Sequence, residues 1–278
     1  MSIATFIPQL WSARLLQHLD NALVAKNFFN QEYSGEIQDY GDTVKINQIG
    51  TPTIKTYVAN ADMDSPEELN TAAQELVIDQ SKYFNFQVDD VDAAQMRAPL
   101  MDSAMNRAGI ALAETEDTYL FGLLKAGVVA GNQIGALTID TPDAAFSMLV
   151  KLREILTKSN VPHAGRKVAL SPEILSYILE DDRFTGTGGS GAEGTLASGQ
   201  VGRAMGFDVY EVNTLPTATG VQTVIAGHDL GATFASQIIK TEPYRMEKRF
   251  SDGVKGLSVY GAKVLVGKAY ASADVTLA

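Results

Sequence analysis

The chain has 278 residues, 45% of them hydrophobic, no cysteine and a formal charge of −11. That length and apolar content can build a sizeable core in one or two domains. The lack of cysteine excludes disulfides, thiolate metal sites and a cysteine nucleophile, and the acidic balance argues against a general nucleic-acid binder, which needs a basic face against phosphate. No run reaches the ~18 apolar residues of a membrane span. The first twenty-one residues lack a basic start and an unbroken apolar stretch, so no secretory signal is read there. A soluble cytoplasmic protein is expected.

From the N-terminus, Pro8 can open a helix whose apolar stripe is Trp11, Leu15, Leu19 and Leu23. Such a stripe serves either a globular core or an arm that docks on a neighbour. No second helical pattern follows, and Asn27–Ser34 reads as an extended tether. An acidic excursion, Gly35–Asp92, comes next. Two strand-like runs frame it, Asp42–Ile49 and Leu76–Val88, around a polar, proline-bearing middle. Two isolated strands are marginal in water, so this hairpin is expected to lie on something else.

After it, Asp89, Asp90 and Asp92 place carboxylates at a helix start, and Pro99 marks a kink or a restart. A stripe of Met101, Met105, Ala108, Leu112, Tyr119 and Leu123 then runs to Gly127. That predicts a helix of ~28 residues and ~42 Å, long for a globular domain, with Glu114, Glu116 and Asp117 on its other face. A spine carrying separate lobes explains the length. The next segment reads as an α/β lobe. Thr141-Pro142-Asp143 opens a helix that ends near Asn160, Arg166–Leu170 is a strand, and Ser171-Pro172-Glu173 caps a second helix. A glycine- and serine-rich loop, Thr185–Gln200, precedes strands at Phe207–Val212 and Thr223–Ala226. Two closing strands, Tyr244–Phe250 and Leu257–Val266, are joined by Ser251–Gly256.

No catalytic or ligand motif along this path is complete. Gly186–Gly191 matches G-x-G-x-x-G, but a dinucleotide site needs a strand before the loop and a helix after it; here a helix precedes. Ser190 misses the nucleophile-elbow pattern. His18, His163 and His228 stand in unrelated contexts, and the aspartates at 62, 64, 89, 90 and 92 lack the calcium-loop glycine. No catalytic, metal or cofactor site is expected.

The charges carry more order. From Asn60 to Asp92 nine acids stand against one base, and from Lys240 to Tyr270 seven bases against three acids. Two solvated faces account for this. So does an acidic hairpin lying across the basic closing strands of a neighbour, a head-to-tail contact within a ring. On that second reading the contact residues are Glu67, Glu68 and Glu75 on the hairpin and Arg245, Lys248 and Arg249 on the closing strands, with Trp11 on the arm.

The order of parts resembles a known family. An arm with Phe6, Pro8 and Trp11, a hairpin opening Gly35–Val44, a spine helix, a lobe with Arg166–Glu173 and a final Gly253–Val264 together look like a tailed-bacteriophage major capsid protein. The resemblance implies an α+β Hong Kong 97-type capsid fold. Residues 1–34 would be the N-terminal arm, 35–88 the extended loop, 89–137 the spine and peripheral domain, 138–239 the axial domain, and 240–278 the peripheral closing strands. It further implies hexamers and pentamers of one chain in a virion shell, assembled in the host bacterial cytoplasm. The expected partners are a portal protein, a separate scaffolding protein, since the arm begins at once, and packaged DNA held without tight binding. An encapsulin-type nanocompartment shell is the alternative within the fold, and a small enzyme using the Gly186–Gly191 loop the alternative outside it.

Overall fold

The computed structural model describes residues 23–32, 43–49, 53–54, 56–57, 62, 65, 71–89, 100–181, 200–247 and 250–277. Its longest element is helix α1, Leu100–Gly127, of 28 residues, the length predicted by the stripe from Met101. Strands β1 (Thr43–Ile49) and β2 (Thr71–Val77) form an antiparallel hairpin. β3 (Gln80–Asp89), β10 (Ala232–Arg245) and β11 (Ser251–Val264) form an antiparallel sheet in the order β10-β11-β3. A mixed seven-stranded sheet runs β4 (Gln133–Ile139), β12 (Tyr270–Leu277), β9 (Val221–Gly227), β5 (Lys167–Leu170), β7 (Phe207–Glu211), β6 (Gln200–Ala204), with β8 (Thr217–Ala218) beside β9. Helices α2 (Pro142–Lys158) and α3 (Pro172–Leu179) complete this lobe.

The inner strands of the lobe's sheet are buried on both faces, and their sequences are written for that. Val168 and Leu170 of β5 join Leu149, Leu152 and Ile174 under α2 and α3, while Ala169 between them joins Leu120, Phe121 and Leu124 of α1. Strand β9 repeats the rule, with Val224 and Ala226 on one side and Ile225 on the other. Successive side chains of a strand point to opposite faces, so burial on both sides demands an unbroken apolar run.

Local signals set the helix ends. Thr141 and Ser171 accept the amides of Ala144 and Ile174, each followed by a proline in the first turn. Arg166, only 2% exposed, closes the other end of α2. Its guanidinium donates to the carbonyls of Pro162 at 2.8 Å and Val161 at 2.6 Å and to Thr157 Oγ1 at 3.0 Å. Carbonyls left over past a helix end favour a cation there.

The structure departs from the sequence reading at several points, among them the expected strand Tyr244–Phe250, of which Tyr244 and Arg245 are the end of β10 and the described residues beyond them are not in a strand. The run Leu76–Val88 is two strands: β2 pairs with β1, and β3 turns away at Ile78-Asp79 to pair with β11 of the same chain. Asp89 ends that strand instead of opening a helix, and residues 90–99 lie outside the described set. The expected linker Ser251–Gly256 lies within β11. Gly253 and Gly256 mimic a turn, yet each gives room to an aromatic ring, Tyr244 and Phe84, that a Cβ would strike. Finally, the chain does not stay with the closing strands after Lys240. β12 returns to the lobe between β4 and β9, parallel to the first and antiparallel to the second. Its segment, Tyr270–Leu277, and β4 both carry no strand in the sequence reading, although Gly131-Asn132 and Asp140-Thr141-Pro142 flank β4 with turn residues.

Phe121→Ala is expected to cost about 3–5 kcal/mol, the usual loss for a large aromatic removed from a core. Ile110→Ala, on a 42% exposed position of the same helix, is expected to stay within about 0.5 kcal/mol. Denaturant unfolding of the two variants checks both.

Candidate functional site: the assembly surfaces

The root of the N-terminal arm is fastened to the body by several independent contacts. Leu23 is buried with Leu112 and Ala113 of α1, beside Phe84 of β3. The amides of Val24 and Ala25 donate to Asp117 Oδ2 and Oδ1 at 3.2 and 3.0 Å. A 3-10 turn, Ala25–Phe28, follows, and Phe28 packs edge-on to Phe121 and Tyr210 while Phe29 meets Phe234. Lys167 of β5 donates to the Asn27 carbonyl at 2.6 Å, Tyr270 of β12 donates to that of Phe28 at 2.6 Å, and Asn30 bridges Thr233 of β10. The Tyr270 ring has room because Gly227 and Gly231 have no Cβ to overlap it. The tandem Phe28-Phe29 within a polar stretch was the available signal for this anchor; Asp117 had none.

Asp117 and Glu116 lie on the helix face opposite the apolar stripe of the sequence, yet both are buried, at 4% and 0% exposure. The reason is that α1 is covered on more than one side. Asp117 meets the arm, whereas Glu116 accepts a hydrogen bond at 3.0 Å from Ser258 of β11. Burial raises the Asp117 pKa from 3.8 to about 6, against the pull of its two amide donors and of Lys26.

The hairpin also rests on its own chain. Val44, Ile46, Leu76 and Ile78 bury with Ala235 and Val259 on the face of the three-stranded sheet turned away from α1. The expectation that it finds no cover within its own subunit therefore fails at its base. Farther out, Ile54 is 90% and Tyr57 73% exposed. On the same sheet face, beyond Val259, Tyr83 is 79% and Leu257 36% exposed. With Asn85, Glu242 and Lys255 they line an open hollow of about 420 Å³.

Of the expected contact residues, Glu75 and Arg245 fall among the described ones; Trp11, Glu67, Glu68, Lys248 and Arg249 lie outside them. Glu75 is exposed on β2, directly opposite Lys45 of its own hairpin. Arg245 pairs with Asp252 at 2.9 Å, and Lys255 with Glu242 at 3.1 Å, across β10 and β11. These cross-strand partners already balance part of the charge on both surfaces, and exposed pairs of this kind contribute little.

The loop Gly186–Gly191 lies outside the described residues, but its neighbours are α3 before and β6 after, the reverse of the order a dinucleotide fingerprint needs. His228 is tied into the fold: Nδ1 lies 2.7 Å from Asp229, and Nε2 lies 3.0 Å from the Ala164 carbonyl. Among the described residues no helix is long and apolar enough to cross a membrane.

A family model for phage capsid protein matches residues 73–273. The chain belongs to the phage capsid protein family. A structure from Mycobacterium phage Che8 is 30% identical over 90% of each chain, with a TM-score of 0.71. The asymmetric unit of the bacteriophage PhiM1 mature capsid is 16% identical, covers 89% of this chain and 88% of its own, and scores 0.65. The holo encapsulin complex of Synechococcus elongatus shares the fold at 14% identity, with 86% and 83% covered and a TM-score of 0.59. Among curated proteins none matches. The protein is a major capsid protein with the Hong Kong 97-type fold, and its function is to form a shell with copies of itself.

For the capsid protein, the arm anchor gives a pH prediction. The folded pKa of Asp117 lies above its unfolded value, so its stabilising contribution is complete below about 4 and is lost as pH rises through about 6. Comparing unfolding of the wild type with Asp117→Asn from pH 4 to pH 7, the wild type alone should lose on the order of 3 kcal/mol from this group. Parallel curves for the two proteins would refute the assignment.

Proposed function

We propose that the capsid protein closes into an icosahedral shell of pentamers and hexamers around the double-stranded DNA of a tailed phage, with the hairpin of one copy lying on the outer sheet face of the next. The observation that carries this reading is the pair of complementary surfaces on one chain. The hairpin is fixed at its base and carries exposed Ile54 and Tyr57, while the sheet face beyond that base leaves Tyr83 and Leu257 uncovered. A chain that carries both halves of such a contact is satisfied by a ring of copies.

The finer contacts belong to the same proposal. Glu67, Glu68 and Glu75 steer the hairpin toward Arg245, Lys248 and Arg249 of the neighbour, and the Trp11 stripe of the arm docks on another subunit or on a scaffolding protein. A portal protein occupies one vertex, and assembly takes place in the host bacterial cytoplasm. The shell role involves no catalysis, metal or cofactor. The charge of −11 keeps DNA from adhering to the wall during packaging, because phosphate contacts need a basic surface. The likeness to an encapsulin supports a second reading, a nanocompartment enclosing enzymes. The family match over residues 73–273 favours the phage shell.

Electron microscopy of the expressed protein, alone and with a co-expressed candidate scaffold, tests the main reading. Closed shells or capsomer rings are expected, and a persistently monomeric folded chain under both conditions would overturn it. Glu67, Glu68 and Glu75 changed together to Lys should reduce shell yield severalfold at low salt and leave the subunit folded, with the difference shrinking as salt screens the charges. Truncation of the arm should stop at residue 22, because Leu23 to Phe29 belong to the core.

A further inference from the structure

The three-stranded sheet, in the order β10-β11-β3, has an outer edge on β10 and another on β3 among the described residues. The two edges are built differently. An open edge offers unpaired N–H and C=O groups to any strand that reaches it, and proteins guard such edges with prolines and bulges. β10 has both guards. Asn30 pairs beside Thr233 at its start, the register shifts between Ile238 and Lys240, and Pro243 has no N–H to give. β3 has neither. Its ten residues pair with β11 without a register shift and include no proline or glycine. Lys82 and Asp89 stand near its two ends, so Tyr83–Val88 between them is uncharged.

The side chains of β3 leave its edge clear. Tyr83, Asn85 and Gln87 are exposed on the outer face, while Phe84 and Phe86 lie on the α1 side beside Met105, as the alternation of a strand requires. The Phe84 ring lies over Gly256 of β11, in the space a Cβ would take. It therefore leans into the sheet and away from the outer backbone. Phe86 stacks on it with centroids 5.9 Å apart, and both rings stay only partly buried although they face the helix.

One open edge and one guarded edge suit a contact that each copy makes once. We propose that β3 of one copy pairs antiparallel with β3 of a second copy across a twofold axis, joining two three-stranded sheets into one of six strands. Identical edges that meet about a twofold form a self-complementary contact. The guarded β10 edges are then left outside, and they stop the sheet from growing into a fibre. An axis perpendicular to the sheet keeps each face on its own side. Centred on Asn85, the pairing sets Phe84 opposite Phe86, Tyr83 opposite Gln87 and Lys82 opposite Val88. Each phenylalanine meets another and no like charges are opposed, the arrangement that strengthens cross-strand pairing. A hairpin laid on the outer sheet face leaves this edge free, so the two contacts coexist. The edge contact rests on the shell reading in one respect, its need for copies that meet about twofold axes.

The chain has no cysteine, so a single substitution reports the contact. In Asn85→Cys the two sulfurs would face one another at the axis, within the reach of a cross-strand disulfide. Mild oxidation of the soluble protein and of shells is expected to give a covalent dimer on a non-reducing gel, severalfold above that from Gln237→Cys, an exposed position on β10. The Asn85 side chain accepts a hydrogen bond from Tyr244 at 2.8 Å. Tyr83→Cys combined with Gln87→Cys therefore repeats the test with Asn85 intact, since these two exposed positions face each other across the same axis. Shells that form with neither cross-link overturn the edge contact and leave the shell reading standing. A covalent dimer without shells supports the edge contact and counts against the shell.

Discussion

Everything in this subunit depends on one helix packing against two different sheets, one near each of its ends. Leu120, Phe121 and Leu124 near the end of α1 pack on the seven-stranded lobe, while Met105 and Leu112 near its start pack beside Val254 and Phe84 at the three-stranded sheet. An α-helix satisfies its own backbone hydrogen bonds and is stiff, so fixing both halves fixes the sheets relative to one another. Full burial of each large apolar side chain is worth about 1.5–3 kcal/mol. The polar link at the last turn, Lys125 to Asp274 at 3.0 Å and to Thr223 at 2.6 Å, is partly exposed. Its value lies in alignment more than in energy.

The same double burial explains the two acids inside. Glu116 and Asp117 are adjacent, and neighbours on a helix point in directions about a third of a turn apart. One therefore meets Ser258 on the sheet and the other the amides of the arm root. Buried carboxylates cost stability unless their oxygens are used. A helix rotated or slid by one residue would leave both without these donors, so they select the alignment that apolar packing alone leaves loose. We regard that selectivity as their role, with the raised Asp117 pKa as its cost.

What was legible in the sequence follows the range of the interactions. The spine length, the capped starts at Thr141 and Ser171 and the lobe strands β5, β7 and β9 depend on residues a few positions apart, and they were readable. The buried acids were not, because their burial is imposed by elements 92 and 142 residues distant in the chain. Gly253 and Gly256 were read as a turn because a glycine that admits an opposing ring looks, locally, like one that bends the chain. Strand β12 was hidden for a related reason: its place between β4 and β9 is decided by pairing partners far away in sequence. At the assembly surfaces the order of parts pointed to the family, while the charge pattern hid that Arg245 and Lys255 face acids in their own sheet.

That internal pairing changes what can drive assembly. Exposed ion pairs contribute roughly 0–1 kcal/mol each, and several of the opposed charges here are already matched within the subunit. The uncovered apolar side chains are not matched. Ile54, Tyr57, Tyr83 and Leu257 belong to a hairpin and a sheet face whose other parts the fold has already buried. Removing them from water follows the same physics as the core, at about 25 cal/mol per Å² of apolar surface, and is insensitive to salt where the charge contacts are not. On the proposed contact, charge would govern how copies approach and in which register, and burial of the hairpin would hold them, so that folding and shell formation would draw on one driving force divided between the inside of a subunit and its neighbours.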